Sequence, residues 1–304
     1  MSGPLEIDGL APEAFRAVLP GFLAAYITDP AAAATNEARV QELVAGWSDT
    51  TTREVMHQLA RMEPGTGVLQ AHPACRELER VWSIDVVVEP ELDGVEHLRA
   101  AMDAGPTVVL GNHLAYFDAS ALDCTLAWAG HADLADRLVA AAGPKVYQDT
   151  FRRIAAVCLN TLPVPQSGSL SHTAKMPPRE LARQALASLR GAKEAASAGQ
   201  ALLLYPEGSR SRSGRLGSFL RGVHRYLGIA DEVAVVPSAI TGTEHIMPLD
   251  ARRLTPGSVR VAFGPPLRVG PDGSTKEVLE RTFHSVAELL PADVRPKADT
   301  PPLA

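Results

Sequence analysis

Two polar side chains with the chemistry of a catalytic pair follow a short apolar run about a third of the way along the chain. His113 comes soon after residues 107–110 (Thr-Val-Val-Leu), and Asp118, five positions later, opens an apolar segment with a helical pattern. Residues five apart on one continuous helix point about 140° away from each other, so the two can meet only across a turn. A carboxylate that holds one imidazole nitrogen leaves the other free to take a proton, as in an oriented general base. Spacing alone also fits a helix-capping aspartate with an incidental surface histidine.

A second polar cluster, at residues 205–225, is strongly basic. Its only acid is Glu207, and it contains five arginines, although the chain as a whole has a net charge of −6. The planar guanidinium group suits a phosphate, and neighbouring Gly and Ser residues let backbone and hydroxyl donors approach the same oxygens. The alternative is a solvated basic loop paired with the acidic remainder, but a position directly after an apolar strand favours an anion site. The arginines are Arg210, Arg212, Arg215, Arg221 and Arg225.

Short apolar runs that alternate with helical segments must position both clusters. The runs cover residues 84–88, 107–110, 201–205, 233–237 and 258–263. Continuous apolar strands separated by helices predict an α/β fold, with a mainly parallel central sheet flanked by helices. In such sheets reactive side chains lie just past the carboxyl ends of the strands, which is where both clusters stand.

The regions before and after these strands have different patterns. Residues 1–80 show helical periodicity and predict a small N-terminal helical region, and residues 81–290 form the α/β domain. Residues 291–304 hold four prolines and predict a flexible tail. Residues 160–180 hold four more prolines among Ser and Gly, and predict a long loop before a helix over residues 180–198.

Composition excludes several classes of protein. With 46% hydrophobic and 21% charged residues, the 304-residue chain is typical of a folded protein, and its acidic balance offers no general field for nucleic acid. Three cysteines without paired spacing argue against disulfides and a zinc site. No run approaches the roughly 18 apolar residues of a membrane span, and the N-terminus lacks the regions of a signal peptide. We therefore expect a cytoplasmic protein, with peripheral contact to a membrane left open.

In their order, the two clusters resemble characteristic blocks of the glycerol-3-phosphate and 1-acylglycerol-3-phosphate acyltransferase family. The blocks are Asn112-His113 followed by Asp118, then Pro206-Glu-Gly-Ser-Arg-Ser-Arg212, then residues 235–240 (Val-Val-Pro-Ser-Ala-Ile). The resemblance covers roughly residues 84–270. The His-x4-Asp block alone is a weak signal, whereas its combination with the arginine block is a strong one.

The resemblance implies a role for these residues. His113 would act as general base on an acceptor hydroxyl, oriented by Asp118, and the hydroxyl would attack an acyl thioester directly, without an acyl-enzyme. Arg210 and Arg212 would hold the acceptor phosphate, and Pro237 would lie near the acyl donor. The thioester would be acyl-CoA or acyl carrier protein, which makes the carrier a candidate partner, and no further cofactor is implied. The residues matching the acceptor block are Glu207, Gly208, Ser209, Arg210 and Arg212.

The chain departs from the family pattern at two positions where the family commonly has a cation for the acceptor phosphate. The family commonly has a Phe-Ile-Asp-Arg-like segment between the two blocks, but the nearest counterpart here, residues 162–166, ends in Gln166 and has no arginine. The usual Phe-Lys-x-Gly has Leu220 in place of lysine. Arg152 and Arg153 could substitute, or could form a solvated helix face. The sequence therefore predicts the reaction type more firmly than the acceptor, and a sugar, a polyol or a specialised metabolite stays open as the acceptor.

Hypotheses from other functional classes compete with acyl transfer. A serine hydrolase of the nucleophile-elbow type would need Gly-x-Ser-x-Gly, which the chain lacks, and Ser209 lies in Gly-Ser-Arg-Ser-Arg. A non-catalytic lipid-binding module would leave His113 and Asp118 dispensable. A metal-dependent mechanism would need further ligands at HxxxH or Cys-pair spacing, and the sequence lacks them.

Overall fold

Four helices form the first part of the computed structural model, which describes residues 9–60, 63, 66–165, 177–271 and 273–304. They are α1 (Pro12–Ala24), α2 (Pro30–Ala45), α3 (Asp49–Ala60) and α4 (Pro73–Ser83). Proline at the first helical position forgoes an N–H that would have no partner there, and so favours the starts of α1, α2 and α4. The Asp29 carboxylate accepts from Ala32 N at 2.7 Å and caps α2.

The remainder of the described chain is built around one eight-stranded sheet. The strand order is β1-β7-β6-β2-β5-β3-β4, with β8 also paired to β6. The β6–β7 and β6–β8 pairs are antiparallel and the other pairs are parallel. The predicted α/β fold with a mainly parallel sheet is therefore confirmed. The strands are β1 (Val87–Asp93), β2 (Thr107–Gly111), β3 (Leu138–Ala142), β4 (Asn160–Pro163), β5 (Ala201–Leu204), β6 (Val233–Thr241), β7 (Gly257–Phe263) and β8 (Leu267–Val269).

Helices connect most of the strands. A five-residue π-turn (Ala127–His131) follows the sixth helix, and a 3₁₀ segment (Arg221–Gly228) lies between β5 and β6. The helices are α5 (Val95–Ala104), α6 (Asp118–Leu126), α7 (Ala132–Ala135), α8 (Pro144–Tyr147), α9 (Thr150–Val157), α10 (Pro178–Ser197), α11 (Thr243–Ile246) and α12 (Thr275–Leu289).

Both faces of the sheet are covered by apolar cores. Val109 on β2 belongs to a core shared with α1–α4, whereas its neighbours Val108 and Leu110 belong to the core beneath α10 and α12. Successive side chains of a strand point to opposite faces. Coverage on both faces explains why β2, β5 and β6 are continuous apolar runs.

The predicted loop over residues 160–180 contains regular structure at both ends. Residues 160–163 form β4, which pairs with β3 and also exchanges hydrogen bonds with Leu69 through Thr161. At the other end, α10 begins at Pro178. Residues 166–176, including Gln166, lie outside the described residues.

The last residues of the chain, predicted as a flexible tail, instead pack against the segment that follows β5. Phe219 N donates to Pro302 O and Ala304 N donates to Phe219 O, both at 2.9 Å. Val294 and Leu303 are buried. The prolines of this segment thus occur in a stretch that contains turns and whose apolar side chains Val294 and Leu303 reach the core.

Two further features concern the whole chain. Cys75, Cys124 and Cys158 are free and buried. Among the helices described, none combines the length and the apolar composition required to cross a membrane.

Candidate active site

The carboxyl ends of β2 and β5 bring the two polar clusters together. These strands pair in parallel, with Val108–Leu110 opposite Leu202–Leu204, so the loops that follow them leave the sheet at the same edge. The backbone of His113 is fixed there on both sides. Its N–H donates to Glu207 Oε1 at 2.8 Å, and its carbonyl oxygen accepts from Ser211 N at 2.7 Å.

A turn between β2 and α6 allows His113 and Asp118 to meet. Asp118 N donates to Ala115 O at 3.2 Å, and Asp118 is the first residue of α6. The Nδ1 atom of His113 lies 2.7 Å from Asp118 Oδ2. The Asp118 side chain is completely buried, while that of His113 is 15% exposed. The imidazole is therefore held at one nitrogen and has limited access to solvent.

The other contacts of Asp118 determine the tautomer of His113. The carboxylate accepts from Leu114 N at 2.7 Å, from Ala115 N at 3.0 Å and from Thr243 Oγ1 at 2.6 Å. Surrounded by donors, it acts only as an acceptor, so Nδ1 of a neutral His113 must carry the hydrogen. Nε2 is then left with a free lone pair.

Strand β6 supports this arrangement from the other side of β2. The Asn112 side chain donates to Ile240 O at 2.8 Å and accepts from Ile240 N at 2.9 Å, which ties the end of β2 to β6. Gly242 follows β6 with a φ of 95°, and a Cβ atom there would collide with the Ser258 carbonyl oxygen. This left-handed residue turns the chain so that Thr243 reaches Asp118.

Glu207 holds backbone on both sides of the site. Its Oε1 accepts from His113 N and its Oε2 accepts from Gly217 N, each at 2.8 Å. Burial raises the pKa of the Glu207 carboxyl to about 7, the two N–H groups oppose this, and the nearby Asp118 adds to it. The carboxyl group therefore joins the loop before α6 to the loop after β5.

Two tyrosines lie against the imidazole. The Tyr205 ring stacks on His113 with centroids 4.5 Å apart, and the Tyr116 ring meets it edge-on at 6.3 Å. The Tyr205 hydroxyl is buried without a hydrogen-bond partner in the described residues. Burial raises the pKa of that hydroxyl, and Asp118 raises it further. Aromatic rings thus restrict the orientation of His113.

Arg210 lies over Tyr116, with its Cζ 3.9 Å from the ring centroid. Arg152, from α9, lies over the same ring at 4.1 Å. Burial lowers the pKa of Arg210, and Arg152 lowers it further, against opposing effects of Tyr116 and Asp118. An arginine from each of two separate segments therefore stands beside the His113 loop.

The remaining residues of the predicted acceptor block are more peripheral. Gly208 and Ser209 are exposed in a turn that Gly208 N closes by donating to Tyr205 O at 3.0 Å. Arg212 is exposed, and Pro237 is buried within β6. Within the part of the chain that is described, no three His, Cys, Asp or Glu side chains are grouped as metal ligands.

Sequence reasoning did not select Tyr116, Tyr205 or Thr243 as site residues. Tyr116 lies inside the His-x4-Asp spacing and Tyr205 closes the β5 run, so both occur in segments already singled out. Thr243 follows the carboxyl end of β6. The rule that reactive groups collect at this edge could have found it, but only with the strand order known.

A histidine oriented by a buried carboxylate, beside arginines at the carboxyl edge of a parallel sheet, is typical of enzymes that activate a hydroxyl group near an anion. Comparison with known families is more specific. The family model described as Acyltransferase matches residues 89–241, half of the chain. The chain belongs to the acyltransferase family.

Shorter stretches are similar to curated plant proteins. The chain is 40% identical over 82 residues to the chloroplastic 1-acyl-sn-glycerol-3-phosphate acyltransferase LPAT1 of Arabidopsis thaliana, covering 27% of this chain and 22% of that protein. It is 33% identical over 104 residues to 1-acyl-sn-glycerol-3-phosphate acyltransferase of Limnanthes douglasii, covering 33% and 36%. The aligned part therefore spans about a fifth of the first relative and little more than a third of the second.

The chain also aligns with a solved structure. The crystal structure of the 1-acyl-sn-glycerophosphate (LPA) acyltransferase PlsC from Thermotoga maritima aligns with a TM-score of 0.49 and 18% identity. The alignment covers 90% of this chain and 97% of that one.

Proposed function

We propose that the protein transfers a fatty acyl group from a thioester to a hydroxyl of a glycerol-phosphate acceptor, either glycerol 3-phosphate or lysophosphatidate. The observation that carries the proposal is the 2.7 Å contact between His113 Nδ1 and the buried Asp118 carboxylate. Membership of the acyltransferase family supports it. The plant relatives, named for acylation of 1-acylglycerol 3-phosphate, support the glycerol-phosphate acceptor.

In the proposed reaction His113 acts as a general base. Nε2 takes the proton of the acceptor hydroxyl while the hydroxyl oxygen attacks the carbonyl carbon of the thioester. Asp118 stabilises the imidazolium that forms. The tetrahedral intermediate collapses as the carbon–sulfur bond breaks, and the thiolate leaves with the proton that His113 returns. No acyl-enzyme forms in this scheme.

The remaining parts of the proposal concern the substrates. Glu207, Gly208, Ser209, Arg210 and Arg212 would form the acceptor side of the site, and the donor would be acyl-CoA or acyl carrier protein. Lysophosphatidate resides in a bilayer, so a cytoplasmic location with peripheral membrane contact belongs to the same proposal. A second acceptor class, an unphosphorylated sugar, polyol or specialised metabolite, is favoured by one observation: Leu220 stands where the family commonly has lysine.

The test is a thiol-release assay with one long-chain acyl-CoA and a panel of acceptors. Glycerol 3-phosphate or lysophosphatidate should support turnover, whereas their unphosphorylated counterparts should not. Preferred turnover of an unphosphorylated alcohol would replace the glycerol-phosphate acceptor with the second class. An absence of thiol release with every acceptor would contradict transfer from acyl-CoA, and acyl carrier protein would then be supplied as donor.

The general-base role is tested with His113→Ala in the same assay. Removal of the base should lower kcat on the order of 10²–10⁴-fold, with the melting temperature unchanged. His245, whose side chain is 83% exposed, provides the matched control His245→Ala. Turnover of His113→Ala at the rate of this control would contradict the assignment.

A further inference from the structure

The buried carboxylate of Asp118 receives hydrogen bonds from two distant parts of the chain. From its own loop it accepts from His113 Nδ1 at 2.7 Å, from Leu114 N at 2.7 Å and from Ala115 N at 3.0 Å. The hydroxyl of Thr243, 125 positions further along the chain, donates to Asp118 Oδ1 at 2.6 Å. Among the described residues, Thr243 is the donor that ties this carboxylate to an element outside its own loop.

The position of Thr243 is fixed by the strand before it and by the short helix that it begins. Thr243 is completely buried and follows β6 by way of the left-handed Gly242. Its carbonyl oxygen accepts from Met247 N at 2.8 Å. At the other end of α11, Ile246 O accepts from Thr255 N at 2.9 Å, just before β7. The hydroxyl is therefore presented by the end of the sheet, independently of the loop before α6.

The hydroxyl of Thr243 determines how the carboxylate faces the imidazole. Oδ1 of Asp118 accepts from Thr243, whereas Oδ2 accepts from Leu114 N and lies against His113 Nδ1. Because a carboxylate is planar, a bond that holds Oδ1 also fixes the direction of Oδ2. Leu114 and Ala115 stand between the two members of the pair and move with them. Their N–H groups therefore cannot fix the pair relative to the sheet.

The surroundings of Asp118 make this donor difficult to replace. Its side chain is completely buried, and Thr243 is completely buried as well. A buried charge that loses a hydrogen-bond donor gains no compensating bond from bulk water. A methyl group in place of the hydroxyl would stand against a charged oxygen with no hydrogen to donate. The carboxylate would then turn or shift from its place beside His113 Nδ1.

We propose that Thr243 is a positioning residue of the reaction, which fixes the Asp118 carboxylate and, through it, the orientation of the His113 imidazole. Thr243 acts through Asp118 and has no part in binding either substrate. The proposal rests on the proposed function, because it gives Thr243 a role in proton transfer by His113. A reacting group keeps a productive geometry only when the residues behind it are themselves held by packing and hydrogen bonds.

Two substitutions at this position separate the hydroxyl from the rest of the side chain. Thr243→Val removes the hydroxyl and keeps the branched shape, whereas Thr243→Ser keeps the hydroxyl and removes the methyl group. Thr282 provides a matched control. It is also completely buried, and its hydroxyl donates to Val278 O at 2.7 Å within α12. Thr282→Val therefore removes a buried threonine hydroxyl that makes no contact with Asp118.

Steady-state kinetics compares these variants with the wild type, using a long-chain acyl-CoA and the acceptor that the wild type turns over. Thr243→Val should lower kcat roughly ten- to a hundredfold. The KM values of donor and acceptor should stay nearly constant, because the base loses its orientation while the substrates keep their contacts. Thr243→Ser should restore most of the loss, and Thr282→Val should keep the wild-type kcat.

Other kinetic results would overturn the proposal. An equal fall in kcat for Thr243→Ser and Thr243→Val would assign the effect to packing of the side chain. An equal fall for Thr282→Val would show that any buried threonine hydroxyl has the same effect. A change confined to the KM of either substrate would place Thr243 in substrate binding.

A spectroscopic measurement that requires no turnover separates this proposal from the proposed function. A proton in a short hydrogen bond to a buried carboxylate resonates downfield of ordinary amide protons, and loss of the signal in His113→Ala assigns it to His113 Nδ1. The resonance should persist in Thr243→Ser and Thr282→Val, and should be lost in Thr243→Val through exchange with water.

The two proposals can then fail independently. Absence of acyl transfer, alongside a His113 resonance that depends on Thr243, would contradict the proposed function and leave the positioning role standing. Acyl transfer by Thr243→Val with the wild-type kcat and an unchanged resonance would contradict the positioning role alone.

Discussion

Within the proposed acceptor side of the site, Glu207 differs from the arginines because both of its carboxyl oxygens are engaged by backbone groups. Each of its oxygens accepts from a backbone N–H, one from His113 and the other from Gly217. A carboxylate facing a phosphate would repel it, whereas a carboxylate that holds the His113 backbone fixes the base in place. We therefore treat Glu207 as a positioning residue.

Glu207→Gln should distinguish positioning of the His113 backbone from direct binding of the acceptor. The amide has one acceptor oxygen in place of two, so either His113 N or Gly217 N loses its partner, at a cost of about 1–3 kcal/mol. We expect kcat to fall roughly ten- to a hundredfold, with the acceptor KM nearly unchanged. Steady-state kinetics against lysophosphatidate measures this, and a change confined to KM would instead support direct acceptor binding by Glu207.

The raised pKa of Glu207 also makes stability depend on pH. The carboxyl ionises near 4.5 in the unfolded chain but at about 7 in the folded protein. The folded state binds more protons between these values, so this contribution to stability falls as pH rises from 4.5 to 7 and stays constant above. Urea unfolding at several pH values should show a smaller fall for Glu207→Gln than for the wild type. Parallel curves would contradict the raised pKa.

At the scale of single residues, the sequence predicts His113 and Asp118 better than it predicts the residues that surround them. His113, Asp118 and Arg210 follow apolar runs, and their residue types have obvious chemistry. Thr243 and the Asn112–Ile240 hydrogen bonds depend on β6 lying beside β2, which no local pattern reveals. Likewise, only the orientation of α9 shows that Arg152 is the arginine of this helix that lies over Tyr116.

At the scale of elements, a buried ion network attaches α6, the helix that begins with Asp118, to the N-terminal helices. Arg76 on α4 donates to Asp123 on α6 at 2.6 Å, and Arg80 approaches the other Asp123 oxygen at 3.2 Å. The side chains of Arg76 and Asp123 are 9% and 4% exposed. Solvent therefore screens this pair little, and α4 fixes the position of α6.

Asp123→Ala should destabilise the protein by about 3 kcal/mol, because it leaves Arg76 buried without its shortest ion pair. Asp133→Ala is the control, since Asp133 pairs with Arg99 but is 56% exposed. An exposed pair contributes under about 1 kcal/mol. The free energy of unfolding in urea measures both, and equal losses would show that burial of the Arg76 pair is unimportant.

The strands missed by sequence reasoning have compositions that conceal them. β3 is Leu138-Val-Ala-Ala-Ala142, and alanine favours helices over strands. β4 ends in Pro163, which indicates a loop, yet β4 is the last strand of the sheet, where proline is tolerated. Aliphatic composition identified β2, β5 and β6 because both faces of these central strands are buried.

At the scale of the whole molecule, the last residues reach back to the loop after β5. Arg221 N donates to Ala304 O at 3.3 Å and Leu216 N donates to Val294 O at 2.8 Å. Leu303 lies beside Phe219, which is completely buried. Composition indicated a flexible segment because prolines and polar residues dominate it. Its two buried apolar side chains are too few to form a periodic pattern, although they suffice to dock it.

Docking of this segment should stabilise the loop after β5, which contains Arg210. Through this loop it should stabilise the acceptor side of the site. Leu303→Asp places a charge where the side chain is 8% exposed, and should cost about 2 kcal/mol through loss of apolar burial. The undocked segment would release the backbone of Phe219 and Arg221, so the acceptor KM should rise while the donor KM stays constant. Ala298→Asp adds the same charge at an exposed position of the same segment and should change neither quantity. If Leu303→Asp matches this control in unfolding free energy and in acceptor KM, the C-terminal segment does not hold the loop.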